Sequence, residues 1–290
     1  MDIQNIRAFL MVAEMQSFSR AAEKLFITQP AISKRIFTLE FALDCQLFDR
    51  LGKSIQLTQA GEALIPSYQR IISELDETQR IISNLRTQVS GLLKFGTSHH
   101  IGLHRLPPVL RQYTRQYPDV ELDIQFMDSE QAAALILKGS IELALITLPD
   151  NIEEPLTTIP VWSDPMECVV ARDHVLAMSD TATRAQLIEH GVLIQSHSTH
   201  TRNIIDTALN LDKDIKVIME SNYLETIKAM IQNGLGWGVL PESMIDDSLH
   251  RLKIKGVKME RHLGVLLHAS RTLSSPVNAL LETLKNSDRL

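Results

Sequence analysis

The sequence predicts a multidomain chain: an N-terminal all-α winged helix-turn-helix, a long linker helix and a C-terminal α/β two-lobed body. Three observations lead there. Two short helical patterns meet at a tight turn between Ser17 and Leu43, and a basic hairpin follows. An apolar heptad then runs from Leu64 to Leu85. From Gly91 onward the pattern changes to strands alternating with helices. These changes set boundaries at residues 1–58, 59–89 and 90–290.

The first helix is expected over Ile3 to Met15, capped by Asp2, with Ile3, Ile6, Phe9, Leu10 and Ala13 at helical spacing on its buried face. Ser17 caps the second, in which the small Ala21 and Ala22 permit close approach before Leu25 and Phe26 seal the turn. Thr28 is placed to cap the third, whose first turn holds Pro30, where no backbone donor is lost. Its inward stripe is Ile32, Ile36, Leu39 and Leu43. With that stripe turned inward, Thr28, Gln29, Pro30, Ala31, Ser33, Lys34 and Arg35 are left at the helix N-terminus or on its open face. Gln can bond adenine edges, Arg can bond guanine or phosphate, and small apolar groups can touch a thymine methyl. In the hairpin LFDRLGKSIQLT, Leu47, Phe48, Ile55 and Leu57 anchor the strands and Arg50 and Lys53 project from the tip toward phosphate or the minor groove.

The formal net charge of −6 is unevenly spread, with residues 1–58 at +1 and the remainder at −7. A near-neutral head with its cations on one surface suits a reader of one DNA site better than a protein that coats DNA. The composition, 44% hydrophobic and 22% charged, is that of a globular protein. No apolar run nears the roughly 18–20 residues that span a bilayer, and the N-terminus lacks an export signal, so a cytoplasmic location is expected. Cys45 and Cys168 match no metal or redox spacing and are expected to be inert thiols.

The stretch AFLMVAEMQSFSRAAEKLFITQPAISKRIFTLEFALDCQLFDR followed by LTQAG resembles the N-terminal domain of the LysR-type transcriptional regulators. The resemblance is specific over about residues 3–65. One departure is Lys53, where such proteins often carry arginine; the charge is kept and a planar fork is lost. The resemblance implies a bacterial regulator, commonly tetrameric, that also works with RNA polymerase.

Beyond Thr58 the sequence is helical, with Leu64, Tyr68, Ile71, Leu75, Thr78, Ile82 and Leu85 at alternating steps of four and three. Such a seam on a connector is best satisfied by a second copy, which predicts a homodimer at least and a DNA site with two-fold character. Pro66 falls early in this helix.

The body reads as LLKFGT strand, IGLHRLPPVLRQYTRQYP helix, VELDIQF strand, SEQAAALILKG helix and ELALITL strand, a βαβ order implying a mostly parallel sheet. Pro155, Pro160 and Pro165 punctuate a crossing. A second unit then runs through MECVVAR, VLIQS, IKVIME and WGVLP and their intervening helices, and HLGVLLHA and SPVNALLETLKN return to the first. Lobe I thus covers about residues 90–161 and 266–290, lobe II about 162–265, with a cleft between them. This architecture is similar to the co-inducer domain of LysR-type regulators, which is itself periplasmic-binding-protein-like.

Strand ends facing such a cleft offer helix N-termini and backbone donors to a polar or anionic small-molecule effector. The candidate contacts are Ser98, His99, His100, Thr147, Ser196, Thr199 and Asn222. His99, His100, His197 and His200 could face one another, yet their spacing matches no metal motif, and no metal or cofactor is expected. No nucleophile with its base and no placed carboxylate pair stands out, so the chain is read as a regulator and not an enzyme. Two rival classes are an enzymatic or solute-binding body with an acquired head, and an architectural DNA-binding protein without an effector.

Overall fold

The computed structural model describes residues 2–51, 54–85, 88–211 and 215–287. It divides into two compact units, Met1–Ser83 and Asn84–Leu290.

In the first unit, α1 (Ile3–Met15), α2 (Phe18–Lys24) and α3 (Gln29–Leu43) precede a hairpin of β1 (Phe48–Leu51) and β2 (Ser54–Leu57), and α4 (Gln59–Asn84) follows. The side chains of Asp2, Ser17 and Thr28 each accept a backbone N–H of the helix they precede, satisfying three of the orphan donors that helix starts leave. The buried face of α1 is centred on Ile6, Ala8, Phe9 and Val12, one step around from the expected stripe, and Ile3 is 39% exposed. Phe26 does not seal the α2–α3 turn: its backbone is left-handed and its ring is 95% exposed. Ile32, Ile36 and Leu39 are wholly buried, so α3 sits with its apolar stripe inward as its sequence dictates. Phe9 meets Phe48 at 5.4 Å and Tyr68 at 5.6 Å between ring centroids, joining α1, the hairpin and α4 in one core. Glu40 Oε1 accepts the backbone N–H groups of Leu47 (2.8 Å) and Phe48 (3.3 Å), which fixes the hairpin against α3.

The helix α4 is continuous through Pro66. One face of its N-terminal part is not available to a second copy, because Leu64, Ile65, Tyr68 and Ile72 pack on the head core and Arg7 bridges Asp76 at 2.9 Å. The compact unit therefore ends after Ser83 and not near residue 58. Of the remaining seam residues, Ile71, Ile82 and Leu85 are 38%, 56% and 78% exposed. At the start of α4 a Cβ on Gly61 would lie 2.4 Å from the Leu47 carbonyl oxygen, so only glycine lets helix and hairpin approach this closely.

The second unit continues with β3 (Gly91–Thr97), α5 (His99–His104), α6 (Leu106–Gln116), β4 (Val120–Phe126), α7 (Ser129–Lys138), β5 (Leu143–Thr147) and β6 (Leu156–Ala171). Then come β7 (Thr181–Ala182), α8 (Arg184–Ile188), β8 (Val192–Ile194), α9 (His200–Leu209), β9 (Val217–Glu220), α10 (Leu224–Gln232) and β10 (Trp237–Pro241). The chain closes with β11 (Leu249–Ile254), β12 (Met259–His268) and α11 (Ser275–Ser287). The helix expected after β3 is broken at Arg105, where the prolines of α6 demand a helix start. The proline-marked crossing is itself a strand of 16 residues, β6. Pro160 is tolerated because that half of β6 is an edge, bonded to β12 alone, and Pro165 lies just before pairing with β10 begins at Met166.

The sheet order is β4-β3-β5-β12-β6-β10-β8-β9, with β11 also on β6. β3 is parallel to β4 and β5, and β8 to β9 and β10, while β6 and β12 run antiparallel to their neighbours. These two strands pass through both lobes. Leu263 and Val265 belong to a lobe I core with Leu93, Phe95, Tyr113 and Leu280, whereas Met259 and Met166 belong to a lobe II core with Ile194, Ile205 and Trp237. Hence β12 changes lobe at residues 260–262, earlier than the expected 265/266 boundary. At the register shift between Leu263 and Gly264, a Cβ on Gly264 would lie 2.3 Å from the Ile159 carbonyl oxygen.

Candidate functional site

The candidate DNA-reading face is the exposed side of α3. Lys34 is exposed, Ala31, Ser33 and Arg35 are half-buried, and Gln29 and Pro30 lie open at the first turn. Thr28 Oγ1 is engaged as the cap, accepting from Ala31 N at 3.4 Å. Gln29 Nε2 donates to Ser33 Oγ at 3.0 Å, pre-setting two polar groups on one edge. Arg35 reaches Gln4 Oε1 at 3.5 Å and so is held on the rim of the face beside the start of α1. The face turns apolar toward its C-terminal end, where Phe37 (67% exposed) and Phe41 (79% exposed) stack with centroids 6.4 Å apart. The Arg50 side chain and Lys53, the expected wing-tip contacts, lie outside the described residues.

In the second unit, six of the seven expected effector contacts line one cavity between the lobes: Ser98, His99, His100, Thr147, Thr199 and Asn222. Ser196 does not line it. Its backbone N–H is bound to Asn222 Oδ1 (3.2 Å) and its carbonyl accepts from Thr199 Oγ1 (3.0 Å), so it shapes the turn before α9. Thr199 in turn caps α9 by accepting from Arg202 N (3.2 Å), while Ser98 makes no side-chain cap bond among the described residues. Asn222 also donates to Asp128 Oδ2 at 2.9 Å, joining α7 of lobe I to the strand-end of lobe II. The four histidines do not converge. His99 packs on Phe126 and Tyr223, His200 faces Glu130 at 3.6 Å, and His197 is exposed against Arg202 at 3.2 Å.

The floor of the cavity holds residues that sequence reading missed. Arg261, 4% exposed, donates from Nε to Asp164 Oδ2 at 2.7 Å and from one terminal nitrogen to Thr201 Oγ1 at 3.1 Å. Asp164, 1% exposed, also accepts from Arg105 at 3.1 Å and has His100 Nε2 at 3.6 Å. Burial alone would raise the Asp164 carboxyl; His100 and the Arg261 charge and hydrogen bond outweigh it and hold the group well below the usual carboxylate range. Burial has the opposite effect on His100, holding it below an ordinary histidine against the pull of Asp164. The signal was present in the sequence: Arg261 falls in the alternating run Met259, Arg261, Leu263, Val265 of inward positions, and Asp164 between Trp162 and Met166. A charged residue in phase with a buried face requires a partner.

Several buried polar atoms here have no hydrogen-bond partner among the described residues: the second terminal nitrogen of Arg261, both amide atoms of Gln195 and both ring nitrogens of His100. Unpaired buried groups of this kind each cost about 1–3 kcal/mol unless a ligand or water satisfies them. The carboxylates at the rim are engaged, Asp128 by Asn222 and Glu130 by the His200 backbone N–H (3.0 Å). The cavity measures about 50 Å³, several times the roughly 10–15 Å³ one water needs. It has room for a compact polar group.

Cys45 is half-buried in the first unit and Cys168 fully buried in the second, with its thiol pushed up to about 12 by burial and then by Glu167. Among the described residues no helix is long and apolar enough to cross a membrane.

A family model described as "Bacterial regulatory helix-turn-helix protein, lysR family" matches residues 3–62, and one described as "LysR substrate binding domain" matches residues 86–289. A "Probable RuBisCO transcriptional regulator" of Synechocystis sp. is 31% identical, over 96% of this chain and 84% of that protein. A full-length OxyR variant from Pseudomonas aeruginosa superposes with a TM-score of 0.73 at 24% identity, covering 100% of this chain and 95% of that one. Full-length CbnR complexed with its target DNA gives 0.67 at 16% identity, covering 99% and 100%.

Proposed function

Because the chain belongs to the LysR family of transcriptional regulators, with both its helix-turn-helix and its effector-binding domain, we propose which residues read DNA and what kind of effector the body takes. Thr28, Gln29, Pro30, Ala31, Ser33, Lys34 and Arg35 enter the major groove from α3, and Arg50 and Lys53 meet the backbone from the wing. Two copies pair through the stretch in and just after α4 that leaves Ile71, Ile82 and Leu85 exposed, giving a homodimer or homotetramer on a site of two-fold character. RNA polymerase is the further partner of the assembly.

The effector is a compact anion, such as a small carboxylate. The observation that supports it is the set of unpartnered buried atoms on Arg261, Gln195 and His100, surrounded by the hydroxyls of Ser98, Thr147 and Thr199. An anion accepting from Arg261 and Gln195 Nε2 satisfies those donors, and Gln195 Oε1 is left to accept a ligand hydroxyl. Since β6 and β12 pass through both lobes, a ligand that prefers one lobe arrangement shifts the population of that arrangement, and affinity without such preference shifts none.

Arg35→Ala is expected to weaken binding to the cognate promoter about tenfold or more, the loss of one good base or phosphate contact, in a mobility shift at fixed salt. Unchanged affinity would remove Arg35 from the reading face. Small carboxylates and hydroxycarboxylates screened against the full chain should include one that raises its thermal transition. In Gln195→Leu that ligand should bind about tenfold or more weakly, since a hydrogen bond to a charged group contributes about 1.5–3 kcal/mol. A shift that survives unchanged in Gln195→Leu places the ligand elsewhere.

A further inference from the structure

Beside the effector cavity, α5 of lobe I faces the start of α10 of lobe II. His100 and His104 stand one helical turn apart on α5 with ring centroids 5.0 Å apart, and His104 Nε2 lies 2.9 Å from Glu225 Oε1 on α10. One ligand atom from each of His100, His104 and Glu225 falls within 4.8 Å of the other two. His100 is 5% exposed, and neither of its ring nitrogens has a hydrogen-bond partner among the described residues. Asp164 lies 3.6 Å from Nε2, so with a metal on Nδ1 it is placed to become the outer-shell partner of that imidazole. The nearby cations are already engaged, Arg105 and Arg261 by Asp164 and Lys228 by Asp246 (2.6 Å), which leaves the Glu225 charge to the histidines.

We propose that His100, His104 and Glu225 form a site for one divalent transition-metal ion, Zn²⁺, Co²⁺ or Ni²⁺, that bridges the two lobes of the body. Two imidazoles and a carboxylate suit these borderline ions, and three protein ligands leave a coordination position for water or an anion. Metal–nitrogen bonds of about 2.0–2.1 Å need ligand atoms about 3.3 Å apart, so His104 and Glu225 open slightly while His100 is drawn in. As the ligands come from both lobes, the ion favours the lobe arrangement in which α5 and α10 approach as they do here. The two readings share His100, but Gln195→Leu tests the effector alone, and that reading survives on Arg261 and Gln195 if no metal binds.

The test uses the untagged full chain, stripped with chelator and titrated with CoCl₂ and, separately, ZnCl₂. One Co²⁺ per chain is expected, with the visible ligand-field absorption of a low-coordinate site and a raised thermal transition of the body. His104→Ala and Glu225→Gln should each weaken Co²⁺ binding by more than about 100-fold, the upper end of what losing an outer-shell partner costs. Both side chains are partly exposed, at 38% and 36%, so neither substitution endangers folding. Absence of any Co²⁺ spectrum and Zn²⁺-induced shift, or binding that persists in either variant, would overturn the site.

Discussion

Replacing Asp164 with leucine is expected to destabilise the body by about 3–5 kcal/mol, the cost of stranding a buried opposite charge. The carboxylate is 1% exposed and is shared by Arg261 (2.7 Å) and Arg105 (3.1 Å), so its removal leaves Arg261 buried with Thr201 as its remaining partner among the described residues. Urea denaturation followed by tryptophan fluorescence reads this cleanly, because Trp162 and Trp237, the chain's two tryptophans, both lie in the second unit. The double variant Asp164→Leu with Arg261→Met should recover much of the loss, as replacing a whole buried pair is far milder than breaking it. A single variant whose midpoint matches the parent protein would show that the pair carries no such stabilisation. The double variant should also lose the response to any anionic effector, since Arg261 supplies an unpartnered donor to the cavity.

Ile36→Ala is expected to cost the head about 2–5 kcal/mol, the range for emptying a fully buried aliphatic site. Ile36 is 0% exposed and packs with Ile32, Leu39, Phe9 and Phe48 in one small core, and a unit of that size has little stability in reserve. The variant should lose its affinity for promoter DNA without any change to a reading residue, and the early part of the far-UV melting curve should shift down. The tryptophan transition, which reports on the body, should stay where it is. DNA affinity equal to that of the parent protein would mean α3 is not positioned by its buried stripe.

The head was legible because each of its signals is local. Asp2, Ser17 and Thr28 mark three helix starts within a turn of the donors they satisfy, and Ile32, Ile36 and Leu39 recur at the helical period, so the exposed edge of α3 follows by subtraction. The seam of α4 shows the limit of periodicity. Its spacing says that a stripe must be covered, but not by what, and Leu64 and Tyr68 turn out to cover the chain's own head. In the body, six cleft residues could be named because strand ends followed by helix starts converge in any such fold. Ser196 was misplaced because backbone bonding, invisible in the sequence, commits it to a turn.

Residue type acting at short range is enough to set the order of elements, the family resemblance and the buried stripe that frees one side of α3. The floor of the cleft is a product of long-range packing. Asp164 and Arg261 are 97 residues apart, and they meet because β6 and β12 cross between lobes side by side. That pairing, and the approach of His104 to Glu225 across the cleft, is set by sheet register and lobe packing, and no spacing along the chain encodes either.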